Sequence, residues 1–363
     1  MQDLVLKVAI IRLSSLGDII STLVFLDFIK ARFVALKRKI EISFIIDSQF
    51  REILENSPLI DKIIDLPLRQ SKKNKKLIFS AIKKVRQLGR KTHFDIVIDA
   101  QGLLKSALIG KFLKKSAFVG YDKDSVREKI ASFFYSKRVR IAYNEHILKR
   151  QYELFKCAFG DLDLAQDFDL QMLDSRNLAL DSSKNAKEKI ANILAQDSQD
   201  SRYSQDFSPK NALDSRDSRA KSAPKILFLV ETSKTEKEFL LESFGTLAQN
   251  LWSEFECAKI FLIWDKKETE IRALGAKDSR FFVLPRLNLD EIKALLARMN
   301  LVIGGDTGIT HTAWALKIPT ITLYISTNMA RFALGGEKHI SLLVDSTQKS
   351  IDIICKSAKV LLK

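Results

Sequence analysis

Two short loops carry most of the side chains that could do chemistry. The first, Ser14 to Asp18 (SSLGD), places one carboxylate beside two hydroxyls and a glycine, where the chain opens a helix. A carboxylate near a helix N-terminus stays ionised at neutral pH, and it could take a proton from an attacking hydroxyl. Asp18 could equally serve only as a cap of that helix, so both roles remain open.

The second loop, Gly304 to His311 (GGDTGITH), follows an apolar strand and precedes a helix. Small residues let backbone N–H groups approach a ligand, and a helix N-terminus favours negative charge, so a diphosphate would suit this loop. The alternative is a glycine-rich turn that Asp306 and Thr307 merely cap. His311 could contact phosphate or ribose, or be structural.

Basic residues accompany these loops. Lys234 and Lys237 follow the first strand of the second half and could reach phosphates, while the run 69–76 (RQSKKNKK) and Arg127 could bind an anionic acceptor. Each of them could instead be a solvated surface residue. The net charge of +16 indicates attraction to nucleic acid, to an anionic membrane face or to an acidic substrate, without choosing among them.

Several classes of protein are disfavoured. The first loop has a single glycine and so lacks the GxGxxG pattern of a nicotinamide-dependent oxidoreductase. No apolar run approaches the roughly 20 residues that cross a bilayer, and we expect neither a signal peptide nor a membrane-spanning helix. Neither a disulfide framework nor a metal site is expected from the widely spaced cysteines and histidines, which are Cys157, Cys257, Cys355, His93, His146, His311 and His339.

The elements that must position the loops form two α/β series. Short apolar runs typical of buried parallel strands alternate with helical patterns. Strands are predicted at 4–11, 40–46, 62–66, 95–99 and 117–120, and from Lys225 onward at 226–230, 259–264, 281–284, 301–303 and 320–324. Ligands bind beyond the carboxyl ends of such strands, which directs attention to the loops at 12–18, 99–106, 231–237, 304–311 and 324–331.

The chain is predicted to divide into a domain at 1–160, a polar insertion or linker at 161–223 and a second domain at 224–363. Residues 161–224 are rich in Asp, Ser, Asn, Gln, Lys and Arg. Few of them could contribute to a core, so Leu180 to Ser222 is interpreted as flexible or only partly helical.

Three segments in order resemble the ADP-heptose:lipopolysaccharide heptosyltransferases of glycosyltransferase family 9. They are SSLGDIISTL at 14–23, DAQGLLKSAL at 99–108 and GGDTGITHTAWAL at 304–316, the last followed by PTITLY at 319–324. The second segment is most similar to that of the members that add the first heptose. The chain departs from the family pattern at Phe239, where a Trp is usual, and at 305 and 325–327.

The resemblance implies a GT-B fold, with two Rossmann-like domains facing a central cleft, and makes Asp18 the catalytic base. Donor-binding residues would come from the second domain, namely Thr232, Ser233, Lys237, Asp306, Thr307, Gly308 and His311, with Glu268 or Glu270 on the ribose. Acceptor-binding residues would come from the first domain, namely Ser15, Gly17, Arg69, Lys72, Lys73, Gln101, Lys105 and Arg127.

The resemblance also implies an inverting enzyme that moves L-glycero-D-manno-heptose from ADP-heptose to the Kdo sugar of Kdo-lipid A. It would act without a cofactor or metal, as a cytoplasmic monomer peripheral to the inner membrane, and would not bind nucleic acid. One alternative is another family 9 glycosyltransferase with a different donor or acceptor. A basic nucleic-acid-binding protein is the alternative from another class, although the sequence lacks an aromatic-rich basic motif.

Overall fold

The computed structural model describes residues 5–69, 75–160, 178, 180–199, 223–232, 236 and 238–363. Strands and helices alternate through them in two series. The first series consists of β1 (Val5–Ile11), α1 (Leu16–Ala35), β2 (Lys39–Asp47), α2 (Arg51–Leu54), β3 (Lys62–Leu66), α3 (Lys75–Lys91), β4 (His93–Asp99), α4 (Leu104–Lys111), β5 (Lys114–Tyr121), β6 (Lys137–Val139) and α5 (Ile147–Ala158).

The second series begins with a helix and ends with one. It consists of α6 (Lys184–Gln199), β7 (Lys225–Leu229), α7 (Leu241–Glu254), β8 (Lys259–Leu262), α8 (Glu268–Gly275), β9 (Phe281–Val283), α9 (Leu289–Leu296), β10 (Leu301–Gly305), α10 (Gly308–Ala315), β11 (Thr320–Tyr324), α11 (Met329–Phe332), β12 (His339–Leu343) and α12 (Gln348–Leu361). All ten predicted strands are present, whereas β6, β12 and α12 were not predicted.

Each series builds one parallel six-stranded sheet. The strand orders are β3-β2-β1-β4-β5-β6 and β12-β11-β10-β7-β8-β9. In each sheet the order reverses between two adjacent strands, β1 and β4 in the first and β7 and β10 in the second. A crevice opens beyond the carboxyl ends of strands at such a reversal, so the topology brings the loops after these four strands together in pairs.

Apolar clusters cover both faces of both sheets, as parallel sheets require. In the first domain one cluster lies under α1 and α5 and another under α3 and α4. In the second domain one cluster lies under α7 and α12, and the other lies under α6 and α9. The predicted α/β architecture with two Rossmann-like domains is confirmed.

Helix α6 corrects the expectation for the insertion. Ala186, Ile190 and Leu194 are buried in the second domain's core beside strand β7. The expectation that few residues between 161 and 224 contribute to a core is therefore wrong for α6. Its apolar residues recur at i, i+4 and i+8, a helical spacing that is easily overlooked in a polar stretch. Among the helices described, none is both long and apolar enough to cross a bilayer.

Candidate active site

Asp18 lies in the first turn of α1, beyond the carboxyl end of β1. Its Oδ1 forms an ion pair with Arg12 at 2.8 Å. Its Oδ2 accepts hydrogen bonds from the backbone N–H of Ser15 at 3.2 Å and from the Ser15 hydroxyl at 3.0 Å. The carboxylate is thus oriented from both sides, and it also acts as the helix cap that the sequence allowed.

Opposing effects set the charge of Asp18. Burial raises the pKa of this carboxyl, but the Arg12 guanidinium and the Ser15 hydrogen bonds together outweigh burial and hold the pKa below its ordinary value. The group is therefore ionised across the physiological pH range. An ionised carboxylate is the form that can accept a proton from a hydroxyl.

Arg12 is held by the neighbouring strand end. It directly follows β1, is only 5% exposed, and its guanidinium donates to the carbonyl of Ala100. In the loop after β4, which also contains Ala100, the Gln101 Oε1 accepts hydrogen bonds from the backbone N–H groups of Leu13 and Ser14, each at 3.0 Å. The loops after β1 and β4 are consequently tied together at the sheet reversal.

Asp99 fixes the second of these loops. Its carboxylate is fully buried and accepts from the backbone N–H groups of Gln101 and Gly102 and from the hydroxyls of Ser106 and Tyr135. Burial raises the pKa of Asp99, and the same hydrogen bonds oppose that rise. Gly102 has a φ of +69°, which favours glycine. Asp99 thus positions Gln101, which in turn positions the loop that carries Asp18.

A cavity of about 220 Å³ opens beside Asp18. Among the described residues of its lining, Asp18 is the only acidic one, and the polar and aromatic side chains around it are Arg12, Gln101, Tyr121, Arg127, Tyr143, Arg150, Gln151 and Arg331. Arg331 comes from α11 of the second domain, so the cavity lies between the domains. Four guanidinium groups around one carboxylate make it suited to an anionic ligand.

Several buried polar atoms in this lining form no hydrogen bond with the residues that the structure describes, and besides the Arg12 Nε they belong to Gln151 and Arg331. Gln151 is fully buried on α5, yet neither its Nε2 nor its Oε1 forms a hydrogen bond with any residue that the structure describes. The Arg331 Nε is likewise buried without a hydrogen bond within the described chain, while its guanidinium lies over the Tyr143 ring at 4.1 Å. Buried polar groups are normally hydrogen-bonded, so these two indicate a polar ligand in the cavity.

The N-terminus of α10 faces the N-terminus of α1. Thr307 caps α10, and the His311 Nε2 lies 3.0 Å from an Asp306 carboxylate oxygen. The two helix ends are in close contact, since a Cβ on Gly17 would lie 3.3 Å from the His311 ring and a Cβ on Gly308 would lie 2.3 Å from Leu16. Glycine at both positions permits this approach of the two domains.

The structure brings together part of the predicted site. Asp18, Gln101 and Arg127 line the cavity. At the contact between the starts of α1 and α10, Ser15 and Gly17 lie opposite the residues predicted to bind the donor, namely Asp306, Thr307, Gly308 and His311.

Other predicted residues lie away from the cavity lining. The exposed Arg69 donates to Gln49, Glu268 pairs with Arg272 on α8, and Lys105 is exposed on α4. Glu270 is also exposed on α8, and the Thr232 backbone N–H donates to Glu238. Lys72, Lys73, Ser233 and Lys237 lie outside the described residues.

Sequence reasoning missed several cavity residues, namely Arg12, Tyr121, Tyr143, Arg150, Gln151 and Arg331. Arg12 carried a signal, because it is the first charged residue after the buried end of β1. The others come from the end of β5, from α5, from α11 and from the irregular segment at Tyr143, and their approach to the cavity depends on tertiary packing. No group of three or more potential metal ligands occurs among the residues that the structure describes.

Comparisons with known proteins bear on the family and the fold of the chain. The profile of glycosyltransferase family 9 (heptosyltransferase) matches residues 82–360. The chain is 33% identical to lipopolysaccharide heptosyltransferase 1 of Campylobacter coli over 95% of this chain and 90% of that protein. It is 28% identical to the Pseudomonas aeruginosa protein of the same name over 93% and 83%. The solved structure titled E. coli heptosyltransferase WaaC with ADP has a TM-score of 0.74 at 22% identity, covering 98% of this chain and 100% of that one.

Proposed function

From the finding that this chain belongs to glycosyltransferase family 9, the heptosyltransferase family, we propose that it transfers heptose from ADP-heptose to the Kdo sugar of Kdo-lipid A, with inversion at the anomeric carbon. Membership makes the chain a glycosyltransferase of lipopolysaccharide inner-core synthesis, and the curated relatives are named lipopolysaccharide heptosyltransferase 1.

The donor side is assigned to the second domain. The first amides of α10 and the cap at Thr307 form a helix N-terminus at the reversal of the second sheet, which is suited to a diphosphate. Solved E. coli heptosyltransferase structures are titled with ADP and with ADP-2-deoxy-2-fluoro heptose, which favours the same donor class. Ser233 and Lys237 remain proposed diphosphate ligands, and Glu268 or Glu270 a proposed ribose ligand.

The acceptor side is assigned to the cavity beside Asp18. Kdo carries a carboxylate, and a guanidinium binds a carboxylate through paired hydrogen bonds. Arg127 and Arg331 provide such groups at the cavity, and Gln151 adds a buried amide that lacks a partner among the described residues. Arg150 adds positive charge, although its guanidinium already donates to the carbonyls of Ser125 and Ala142. The single observation that carries the proposal is an ionised carboxylate placed in an otherwise cationic cavity.

The proposed reaction is a direct displacement. As the Kdo hydroxyl oxygen attacks the anomeric carbon of the heptose, its proton passes to the Asp18 carboxylate. The new glycosidic bond forms on one face while the bond from the anomeric carbon to the diphosphate oxygen breaks on the other, and ADP leaves as an anion. The α10 amides stabilise the charge that develops on the diphosphate. Contact between the domains excludes water and limits hydrolysis of the donor.

The test uses the purified chain, ADP-heptose and Kdo-lipid A. We expect ADP release that depends on the acceptor, together with an acceptor mass increased by one heptose. Asp18→Asn should lower kcat by about 10²- to 10⁴-fold, while donor affinity by calorimetry and the circular dichroism spectrum stay unchanged. Near-normal turnover by this variant would remove Asp18 from the role of base. ADP release without a change in acceptor mass would refute the proposed acceptor.

Because the proposed acceptor is a lipid, we also propose that the enzyme works at the cytoplasmic face of the inner membrane as a peripheral protein. The net charge of +16 favours attraction to an anionic bilayer surface. A monomer remains the predicted state.

A further inference from the structure

We propose that an exposed apolar and basic surface on the first domain docks this protein onto an anionic lipid bilayer. The inference rests on the proposed function, because a lipid acceptor would bring the enzyme to a membrane. The surface, called the docking patch below, lies on α4 and on the short helical turn Lys129–Phe134, and it consists of Lys105, Leu108, Lys111, Phe112, Lys129, Ile130 and Phe133.

The turn supplies the most exposed apolar side chains of the docking patch. Ile130 is 61% exposed and Phe133 is 72% exposed. The turn is a 3-10 helix, in which side chains three residues apart lie on the same side, so Ile130 and Phe133 project together. Ala131 and Ser132 between them are buried and anchor the turn to the domain.

Helix α4 extends the same surface. Lys105, Leu108, Lys111 and Phe112 are all exposed, and their i, i+3, i+6 and i+7 spacing places them along one side of the helix. The Lys111 ammonium lies 5.2 Å from the centre of the Phe134 ring on the turn. The two elements therefore lie side by side on the surface of the first domain.

The mixture of apolar and basic side chains in the docking patch favours an anionic lipid bilayer as its binding partner. Lysines keep their ammonium groups at the level of lipid headgroups while neighbouring apolar side chains enter the acyl boundary. Arg86 of α3 adds a further cation, stacked 5.1 Å from the Phe112 ring. Each cation near an anionic bilayer adds attraction, so the charges of the docking patch complement such a surface.

The docking patch also borders the proposed acceptor cavity. Leu103 lines the cavity and α4 begins at the next residue, while Arg127 lines it two residues before the turn begins. The backbone N–H of Leu104 donates to the Glu128 carboxylate at 2.7 Å, which joins the two cavity-side ends. An acceptor with its sugar in the cavity would have its acyl chains beside the docking patch.

The test is sedimentation of the full chain with vesicles of phosphatidylglycerol and phosphatidylethanolamine, compared with vesicles of phosphatidylcholine alone. We expect binding to the anionic vesicles. The double variant Ile130→Ser and Phe133→Ser should reduce that binding by about tenfold or more, because two side chains no longer enter the apolar layer. The matched control is Leu343→Ser, since Leu343 is also 72% exposed but lies on β12 of the second domain, and it should bind as the wild type does.

Three outcomes would overturn the proposal: no binding by the wild type, equal binding by the double variant, or an equal loss in the Leu343 control. A wild-type dimer by light scattering that the double variant abolishes, without any vesicle binding, would assign the docking patch to a second copy of the chain. Sedimentation needs neither substrate, so its failure leaves the transferase proposal intact. Turnover of a lipid-free Kdo acceptor should be the same in the wild type and the double variant.

Discussion

The ion pair between Arg12 and Asp18 determines how the proposed base behaves with pH. Burial alone would raise the pKa of Asp18, so this carboxyl would hold its proton at higher pH if the guanidinium were absent. With Arg12 present, the pKa of Asp18 lies below the ordinary aspartate value of about 3.9, so the carboxylate stays ionised at lower pH. The acid limb of kcat/KM should therefore lie at lower pH in the wild type than an ordinary aspartate would give.

Replacing Arg12 by Gln removes the main effect that lowers this pKa. We expect the acid limb of kcat/KM to move to higher pH, since burial then dominates, and kcat at neutral pH to fall. Ser15→Ala removes one hydrogen bond and should move the limb in the same direction by a smaller amount. Profiles of kcat/KM against pH for the three proteins measure this, and an acid limb that stays in place in both variants would contradict it.

Gln151 offers a test of acceptor binding that is separate from folding. Its two polar side-chain atoms are buried without partners in the described chain, so Gln151→Leu should leave the free energy of unfolding unchanged or slightly higher. The KM for the acceptor should rise by about tenfold, which corresponds to the net free energy of one lost hydrogen bond, while the KM for the donor stays constant. An unchanged acceptor KM, measured by initial rates, would remove Gln151 from the acceptor site.

At the scale of single residues, the sequence predicted those functional residues that belong to recognisable local motifs. Asp18 and His311 lie in the first turns of helices that directly follow a strand and a short loop, so their positions near the sheet reversals could be inferred. Arg331 and Gln151 have no such mark, because α11 and α5 reach the cavity only through the packing of whole elements. The pairing of Arg12 with Asp18 was equally hidden, since the fold of the intervening loop decides it.

At the scale of elements, strong apolar runs were predicted well and weak ones were missed. Strand β6 has only three residues, two of them basic, and β12 lies at a sheet edge with half-buried side chains. Helix α6 was interpreted as an insertion because polar residues outnumber the apolar ones that pack. Such elements form because neighbours bury them, and their own composition gives little indication of this.

Helix α9 holds the two domains together through one buried cation. Lys293 is 1% exposed, and its ammonium donates to the carbonyls of Glu52 and Glu55 at the end of α2 and to that of Asp181, at 2.8–3.0 Å. It also pairs with Asp290 at 3.2 Å. One side chain thus satisfies groups from both domains.

Lys293→Met should lower the free energy of unfolding by about 3 kcal/mol, because it leaves buried carbonyls and a carboxylate without their donor. The control is Lys189→Met, which removes an exposed ion pair between α6 and Glu291 of α9 and should cost less than about 1 kcal/mol. Denaturation in urea compares the two variants. Equal losses would show that the buried ammonium has no special role.

At the scale of the whole molecule, the two domains meet where the starts of α1 and α10 touch. Gly308→Ala would place a Cβ 2.3 Å from the Leu16 Cβ, which cannot rotate away, so the domains must separate locally. We expect a loss in kcat/KM of about 10²-fold, as for a displacement of reacting groups by an ångström.

Gly17→Ala is the graded control, since its Cβ would meet the His311 ring at 3.3 Å and requires only a small shift. Its loss in kcat/KM should be much smaller. Thermal unfolding should show that both variants remain folded, because alanine favours a helix over glycine. A Gly308→Ala enzyme with wild-type kcat/KM would show that this contact does not position the substrates.

The path of the chain between the domains has a consequence for insertions. Leu178 and Leu180 pack in the first domain's core under α1 and α5, whereas Ala186 packs in the core of the second domain. Between them, the Asp181 carbonyl accepts a hydrogen bond from Lys293, and the Ser183 backbone N–H donates to Asp290. The crossing is therefore only a few residues long. The end of α6 and the start of β7, which flank 200–222, both belong to the second domain, so an epitope tag spliced into that stretch would leave the spacing of donor and acceptor unaltered.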